Sequence, residues 1–236
     1  MSNKSSLIER ARYPVFLFTV GSFAVAGLGI LLKLLTESNG YFKYTGYLLS
    51  LLQCTLGIFA TLIPRLLQKR YGFSFSAPLQ ITYFVFLYCA IFLGEVRNYY
   101  ITVPIWDDIL HGFSGIMAGI FAFMLIAVTT EEHSEHRTLS PLLIALFAFV
   151  FSVAIGALWE IYEFAIDGLF ELNMQKYRQN DGTPLIGRNA LFDTMKDIVI
   201  DSVGALIAAA WGYFSMINKE NWISKYRKKR KVQKAR

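Results

Sequence analysis

Six apolar segments, each long enough to cross a bilayer as a helix, alternate along the chain with polar links. They predict spans at about residues 14–35, 44–67, 78–96, 108–130, 141–170 and 193–217. Residues 1–12 precede this membrane domain, which covers 13–218, and residues 219–236 follow it as a basic tail. The expected fold class is therefore all-α, a polytopic membrane protein folded as a bundle of six transmembrane helices.

Lysine and arginine residues predict the orientation of the chain in the membrane. They occur before the first span at Lys4, Arg10 and Arg12, in the link 65–70, and in the tail at 225–231. With six spans these three regions lie on one side, which the positive-inside rule makes cytoplasmic. We therefore expect a multi-pass protein of the cytoplasmic membrane with both its N- and C-termini in the cytoplasm.

Composition agrees with a membrane protein and excludes other classes. Hydrophobic residues make up 55% of the 236 positions, and the net charge is +6. Much of the positive excess lies in the tail, where attraction to anionic lipid explains it, so no nucleic-acid partner is expected. The lipid bilayer is the partner that the sequence predicts. Cys54 and Cys89 lie in apolar segments without metal or redox spacing and are interpreted as packing residues.

Acidic residues interrupt the apolar pattern only in the last three spans and at the end of the third. In the predicted topology these acids all lie in the extracytoplasmic half of the membrane. A carboxylate deep in hydrocarbon costs roughly 2.5–3.5 kcal/mol on insertion scales, so each one needs a compensating partner. Within each span the spacing of three or four residues places them on one helix face. The fourth span carries Asp107 and Asp108, with His111 one turn after Asp107. The fifth carries Glu160, Glu163 and Asp167, and the sixth carries Asp193, Asp197 and Asp201.

So many carboxylates beside one imidazole favour a divalent-metal site over a salt-bridge network, because Arg97, Arg188 and Lys196 are too few to neutralise them. Oxygen ligands with one histidine suit Mg²⁺, Mn²⁺, Fe²⁺ or Zn²⁺. The metal ligands predicted from this pattern are His111, Glu160, Glu163, Asp193, Asp197 and Asp201.

Other roles in the predicted site follow from residue type. Asp107 lies one helical turn before His111 and is expected to orient it or to act as a general base. His111 and Glu163 complete the predicted catalytic set. Arg97 and Arg188 are the expected binding residues for an anionic headgroup.

Simpler interpretations of the same acids stay open. Asp193, and either Asp107 or Asp108, can cap the start of a helix. Asp197 and Asp201 can be a protonated pair that hydrogen-bonds between helices.

Small residues next to the acids indicate that these helices pack closely. Gly112, Gly115 and Gly119 follow His111, and such residues let membrane helices approach backbone to backbone. Ser114, between two of these glycines, is interpreted as a packing residue rather than a nucleophile. The longest link, from Glu171 to about Asn189, can equally be a lid or a disordered segment.

Three motifs resemble those of VanZ-like membrane proteins, which show Asp-Lys-x-x-His, Glu-x-x-Gln and Asp-x-x-x-Asn-x-x-Gly. The matching stretches here are 107–111, 160–163 and 197–204. With Trp106-Asp107, Trp159-Glu160 and the full aspartate series included, the chain is similar to a sister family of uncharacterised bacterial multi-pass inner-membrane proteins. The resemblance covers roughly residues 95–210.

The resemblance implies a role in envelope biology, because VanZ-like proteins are linked to teicoplanin resistance. This chain has Asp108, Glu163 and Asp201 where the VanZ-like pattern has Lys, Gln and Asn. These differences remove one cation and add three carboxylates, which favours a metal in this branch.

The leading hypothesis is a metal-dependent membrane enzyme that acts on a lipid-linked or phosphorylated envelope substrate. A carrier for divalent cations or protons is the alternative, since intramembrane acids often line ion paths. A non-catalytic membrane subunit, whose acids meet basic residues of a protein partner, is the third.

Overall fold

The computed structural model describes residues 2–36, 41–130, 139–179 and 181–218. Six of the described helices are long and apolar enough to cross a membrane, which confirms the all-α class and the number of spans. The helices are α1 (Ser2–Thr36), α2 (Tyr41–Tyr71), α3 (Ala77–Leu87), α4 (Tyr99–Thr102), α5 (Trp106–Thr129), α6 (Pro141–Phe170) and α7 (Phe192–Ile217). A π-helix, Tyr88–Val96, continues α3, and a 3₁₀-helix, Gly187–Leu191, leads into α7.

The helix boundaries lie within a few residues of the predicted spans, except at the start of the chain. There α1 begins at Ser2 and includes Pro14. Proline is tolerated inside membrane helices, because other groups can satisfy the backbone carbonyl that loses its hydrogen bond. The basic tail, most of the link 131–140 and Asn180 lie outside the described residues. The cytoplasmic position of the termini stays a prediction.

The chain divides into two compact units, Met1–Asp107 and Asp108–Arg236. In the first unit α1, α2 and α3 share an apolar core formed by Phe23, Ile30, Cys54 and Leu87. Hydroxyl groups also join these helices, since the Tyr83 hydroxyl donates to the Ala60 carbonyl at 2.9 Å. Cys54 is buried with a free thiol, in agreement with a packing role.

The π-helix at the end of the third span was not predicted from the sequence. It carries Glu95, and Gln53 hydrogen-bonds the carboxyl group of that residue. Asn98 then reverses the chain with a left-handed φ of 58°, and Trp106 Nε1 donates to the Cys89 carbonyl at 3.3 Å. Hydrophobic periodicity does not separate π from α geometry over nine residues, so the sequence carried no signal for this segment.

In the second unit the ends of α5, α6 and α7 away from the acids form an apolar core. Its buried residues are Ala122, Phe123, Ile126, Ala127, Ile144, Ala145 and Ala148. Ser140 caps α6 by accepting a hydrogen bond from the Leu143 backbone N–H, and Pro141 occupies the first helical position, where its missing N–H costs nothing.

The middle of the second unit is held by backbone-to-backbone approach between α5 and α7. A Cβ atom at Gly115 would lie 2.5 Å from the Asp201 carbonyl oxygen, and one at Gly204 would overlap the Gly112 carbonyl. On the other side of α5, Ser152 of α6 donates a hydrogen bond to the Gly115 carbonyl at 2.7 Å. The small residues predicted to allow close packing therefore do so, and they set the separation of the helices that carry the acids.

We expect Gly115→Ala to destabilise the protein, because its methyl group would meet the backbone of α7, which cannot rotate away. The expected loss is roughly 1–3 kcal/mol in the free energy of unfolding, as for other overpacked sites. Thermal unfolding in detergent, followed by tryptophan fluorescence, measures it. Gly168→Ala in α6 is the matched control, since its Cβ would meet nothing within 4 Å. Equal unfolding temperatures for the two variants would contradict this account of the packing.

Candidate metal centre

All six site acids predicted on the last two spans, now α6 and α7, are buried. Relative exposure is 4% for Glu160, 1% for Asp197 and 2% for Asp201, and His111 is 5% exposed. We call the following residues the carboxylate cluster: Asp107, Asp108, Glu160, Glu163, Asp167, Asp193, Asp197 and Asp201. The helical spacing of three or four residues explains why each helix turns its acids toward the same interior.

The His111 side chain is held on one side by Asp201. Its Nδ1 lies 3.1 Å from Asp201 Oδ2, and the Ser114 hydroxyl donates to Asp201 Oδ1 at 2.9 Å. Both oxygens of this carboxylate are therefore engaged by α5. Because Asp201 separates Ser114 from His111, the imidazole is not placed to activate Ser114 as a nucleophile, which agrees with its interpretation as a packing residue.

Gly156 of α6 provides the space that Asp201 occupies. A Cβ atom at this position would overlap the Asp201 carboxylate, so a side chain of any size would displace it. The contact between Asp201 and His111 thus depends on a residue of the third helix.

The other imidazole nitrogen lies near a carboxylate of α6. His111 Nε2 lies 3.9 Å from Glu160 Oε1. One ligand atom each from Asp107, His111 and Asp197 also lie within 4.8 Å of one another, a spacing that could hold a metal ion. The boundary between the two units falls in the first turn of α5, so Asp107 and His111 belong to one continuous helix.

Glu160 has one oxygen engaged and one without a donor. The Gln175 side-chain amide contacts Oε2 at 3.4 Å, whereas no donor among the described residues hydrogen-bonds Oε1. A buried carboxylate oxygen without a partner is costly, and a cation between it and His111 Nε2 would satisfy it. The donor set, a histidine nitrogen with carboxylate oxygens, fits a divalent metal.

Two lysines contact the cluster at its rim. Lys196 Nζ lies 2.6 Å from Asp108 Oδ1 and 3.7 Å from Asp193 Oδ1, and Lys176 Nζ lies 3.0 Å from that same Asp193 oxygen. Both lysines are partly exposed, at 29% and 37% of their side-chain surface. Asp193 is therefore placed between two ammonium groups, while Asp197 and Asp201 lie deeper on the same helix.

The remaining acids of α6 have hydrogen-bond partners of other kinds. Glu163 Oε1 accepts from the Trp159 indole N–H of its own helix at 2.9 Å. Asp167 accepts from two consecutive backbone N–H groups, those of Met174 at 2.8 Å and Gln175 at 3.0 Å. Asp167 thus anchors the loop that follows α6.

The described part of that loop is folded. The Leu185 backbone N–H donates to the Tyr177 carbonyl, and Gly182 takes a left-handed φ of 86°. Asp181 accepts a hydrogen bond from the Thr183 backbone N–H, which lowers the pKa of its carboxyl below the usual range. Gln175 and Lys176 were missed from the sequence, because polar loop residues carry no periodicity that would place them at a site, and Thr194 of α7 was missed as well.

The two arginines predicted to hold a headgroup are exposed and separately placed. Arg188 lies on the 3₁₀-helix before α7, and Arg97 belongs to the first unit. The cations that contact the cluster in the described residues are Lys176 and Lys196, of which only Lys196 was noted from the sequence.

Comparison with known proteins adds a family to this geometry. A Thermotoga maritima protein described as "Uncharacterized protein" is 28% identical over 131 residues, which cover 55% of this chain and 59% of the relative. No solved structure matches. Residues 23–218 match the family described as "Predicted membrane protein (DUF2238)". The match includes α5, α6 and α7 entirely, and the chain belongs to the DUF2238 family of membrane proteins.

Proposed function

We propose that this protein is a divalent-metal-dependent membrane enzyme, whose metal is held by His111 Nε2 with Asp107, Asp197 and Glu160. The observation that carries the proposal is the orientation of His111, with Nδ1 on Asp201 and Nε2 3.9 Å from Glu160 Oε1, in a histidine that also groups with Asp107 and Asp197. Metal-ligating histidines commonly donate their second N–H to a carboxylate in this way, which fixes the ring and increases its basicity. Asp201 thereby becomes an orienting residue rather than a direct ligand.

Charge supports a cation at this position. Against the eight carboxyl groups of the cluster, the described residues bring Lys176 and Lys196 into contact, both at the rim. Asp197 and Glu160 are among the most deeply buried of these acids, at 1% and 4% exposure. A divalent ion would offset their mutual repulsion.

Bound Mg²⁺, Mn²⁺, Fe²⁺ or Zn²⁺ would polarise a phosphoryl oxygen and acidify a coordinated water. The protein's own groups then bind and orient the substrate and move protons. Glu163 is our candidate for general acid–base chemistry, because it is a buried member of the cluster and the Trp159 indole N–H donates to one of its oxygens. In this proposal Asp193 pairs with the two rim lysines instead of binding the metal.

The substrate class we propose is a phosphorylated or lipid-linked amphiphile from the cell envelope. Lys176 and Lys196 offer partly exposed ammonium groups at the rim of a site that lies within apolar helices. A charged headgroup would contact the lysines, while acyl or prenyl chains would remain in the lipid. Arg97 and Arg188 stay predictions for the same task.

The surroundings of the site favour an enzyme over a carrier. From the cluster toward the far end of α5 and α6, most buried residues are apolar, among them Phe123 and Ile126, and the hydroxyl of the buried Ser152 is bound to the Gly115 carbonyl. An ion path through this unit would need polar groups there.

The proposal also includes a location in the cytoplasmic membrane, with the cluster on the extracytoplasmic side, and a relation to VanZ-like proteins.

We expect the purified wild-type protein to bind a divalent ion stoichiometrically, and His111→Ala and Asp197→Asn to lose it. The physical reason is that each variant removes a ligand atom from a small set. Elemental analysis after loading and buffer exchange measures the bound ion. Asp181→Asn, which removes an exposed acid of the loop, should bind as the wild type does. A wild type without bound ion, under every divalent ion tried, would contradict the proposal.

In the metal-free protein we expect neutral His111 to carry its proton on Nδ1, because Asp201 accepts a hydrogen bond there. Nitrogen-15 spectra of histidine-labelled protein report the tautomer, and His111→Gln identifies its signals among the three histidines. Gly156→Ala should shift the signals by displacing Asp201, whereas Gly168→Ala should not. A proton found on Nε2 in the wild type would refute the orientation on which the metal site rests.

Removal of a rim lysine should weaken substrate binding more than turnover. For Lys196→Gln we expect KM for a lipid phosphate to rise about tenfold with kcat little changed, since one charge-assisted hydrogen bond is lost. Phosphate release in mixed micelles measures both constants. Arg188→Gln, assayed in parallel, tests the arginine predicted from the sequence. An unchanged KM in both Lys196→Gln and Lys176→Gln would exclude the lysines from headgroup binding.

A further inference from the structure

Three consecutive residues of the loop between α6 and α7 each contact a member of the carboxylate cluster. The Met174 backbone N–H donates to Asp167, the Gln175 side chain contacts Glu160, and the Lys176 ammonium group pairs with Asp193. A loop segment with three successive attachments to acids of two helices has its position fixed by them.

The Gln175 side-chain amide is the innermost of these contacts. Its Nε2 donates to the Thr194 hydroxyl oxygen at 2.9 Å, and lies 3.3 Å from the Glu160 carbonyl and 3.4 Å from Glu160 Oε2. Thr194 also hydrogen-bonds the Glu160 side chain. One amide group and one hydroxyl group, from the loop and from α7, therefore hold the same carboxylate of α6.

This arrangement decides which Glu160 oxygen faces the histidine. With Oε2 on the side of Gln175, Oε1 is directed to His111 Nε2 at 3.9 Å and has no hydrogen-bond donor among the described residues. A glutamate side chain has three rotatable torsions, and a buried carboxylate without such restraint would turn toward any donor within reach.

The backbone at this point confirms that the segment is held from both sides. Lys176 has a φ of 47°, a left-handed conformation that a residue with a side chain seldom adopts without external restraint. The restraint comes from the Asp167 carboxylate before it and from Asp193 at its own ammonium group. Gln175 lies between these two anchors.

We propose that Gln175 is a positioning residue for the metal centre, which holds Glu160 Oε2 so that Oε1 is presented beside His111 Nε2. The inference rests on the proposed function, because it assigns Gln175 to the outer shell of the same ion. It also gives the loop a role, since the ion and the closed loop then stabilise each other through Glu160. Removing outer-shell hydrogen bonds of this kind commonly weakens metal binding about 10- to 100-fold.

The test compares Gln175→Met with Gln179→Met. Methionine keeps the length and volume of glutamine but cannot donate, and Gln179 is an exposed residue of the same loop, so it serves as the matched control. Titration with Mn²⁺ gives the dissociation constant, and the visible spectrum of the Co²⁺-loaded protein reports ligand geometry. We expect Gln175→Met to bind Mn²⁺ about 10- to 100-fold more weakly with an altered Co²⁺ spectrum, and Gln179→Met to match the wild type.

A second variant separates positioning from a general loosening of the loop. Thr194→Val removes the hydroxyl group of α7 that accepts from Gln175, without changing any residue of the loop, and it should weaken Mn²⁺ binding in the same direction. The double variant should lose less than the two single losses combined, because both act through Glu160.

The outcomes distinguish this inference from the proposed function. Wild-type Mn²⁺ affinity and Co²⁺ spectrum in Gln175→Met, while His111→Ala abolishes binding, would overturn the role of Gln175 and leave the metal centre standing. Equal weakening in Gln175→Met and Gln179→Met would also overturn it, because the effect would not depend on the contact with Glu160. A wild type that binds neither ion would overturn both.

Discussion

The contact between His111 and Asp201 joins the two requirements that this protein must meet, burial of charge and close packing of helices. A carboxylate inside a membrane span is unfavourable unless a partner compensates it. Asp201 obtains its partners from α5, through the imidazole and the Ser114 hydroxyl, and its space from α6, through Gly156. Three helices thus have to reach their final separation before this carboxylate is satisfied, so the polar site and the packing form together.

The close approach of α5 and α7 follows from the same need. Hydrogen bonds of 3.1 Å and 2.9 Å to Asp201 require its backbone to lie against that of α5, and only glycine permits this at position 115. In a membrane, helices gain little from apolar burial alone, because lipid is as apolar as leucine. Small residues and interhelical hydrogen bonds, such as the one from Ser152 to the Gly115 carbonyl, therefore supply specificity.

The loop after α6 extends the site beyond the helices. Asp167, placed on the same helix face as Glu160 and Glu163, binds backbone N–H groups of the loop instead of a cation. One repeating pattern of acids therefore serves two purposes, with the outermost acid binding the loop and the inner ones belonging to the proposed metal centre. Lys176 and Lys196 neutralise Asp193 and Asp108 at the rim, which separates a solvated ionic layer from a buried one. We expect an anionic headgroup to meet the first layer before its reacting group reaches the second.

The sequence by itself determined the class of fold and which acids share a helix face. Apolar length fixes the spans, because a helix must satisfy its own backbone in lipid, and spacing of three or four residues fixes which acids share a face. It could not determine the partner of each acid. Three such contacts depend on how separate elements pack against one another, to within a few tenths of an ångström. They are the contact of Asp201 with His111 Nδ1, that of Asp167 with the loop and that of Gln175 with Glu160. The π-helix Tyr88–Val96 and the left-handed Lys176 were likewise decided by packing, because backbone geometry of this kind leaves no periodic trace in residue type.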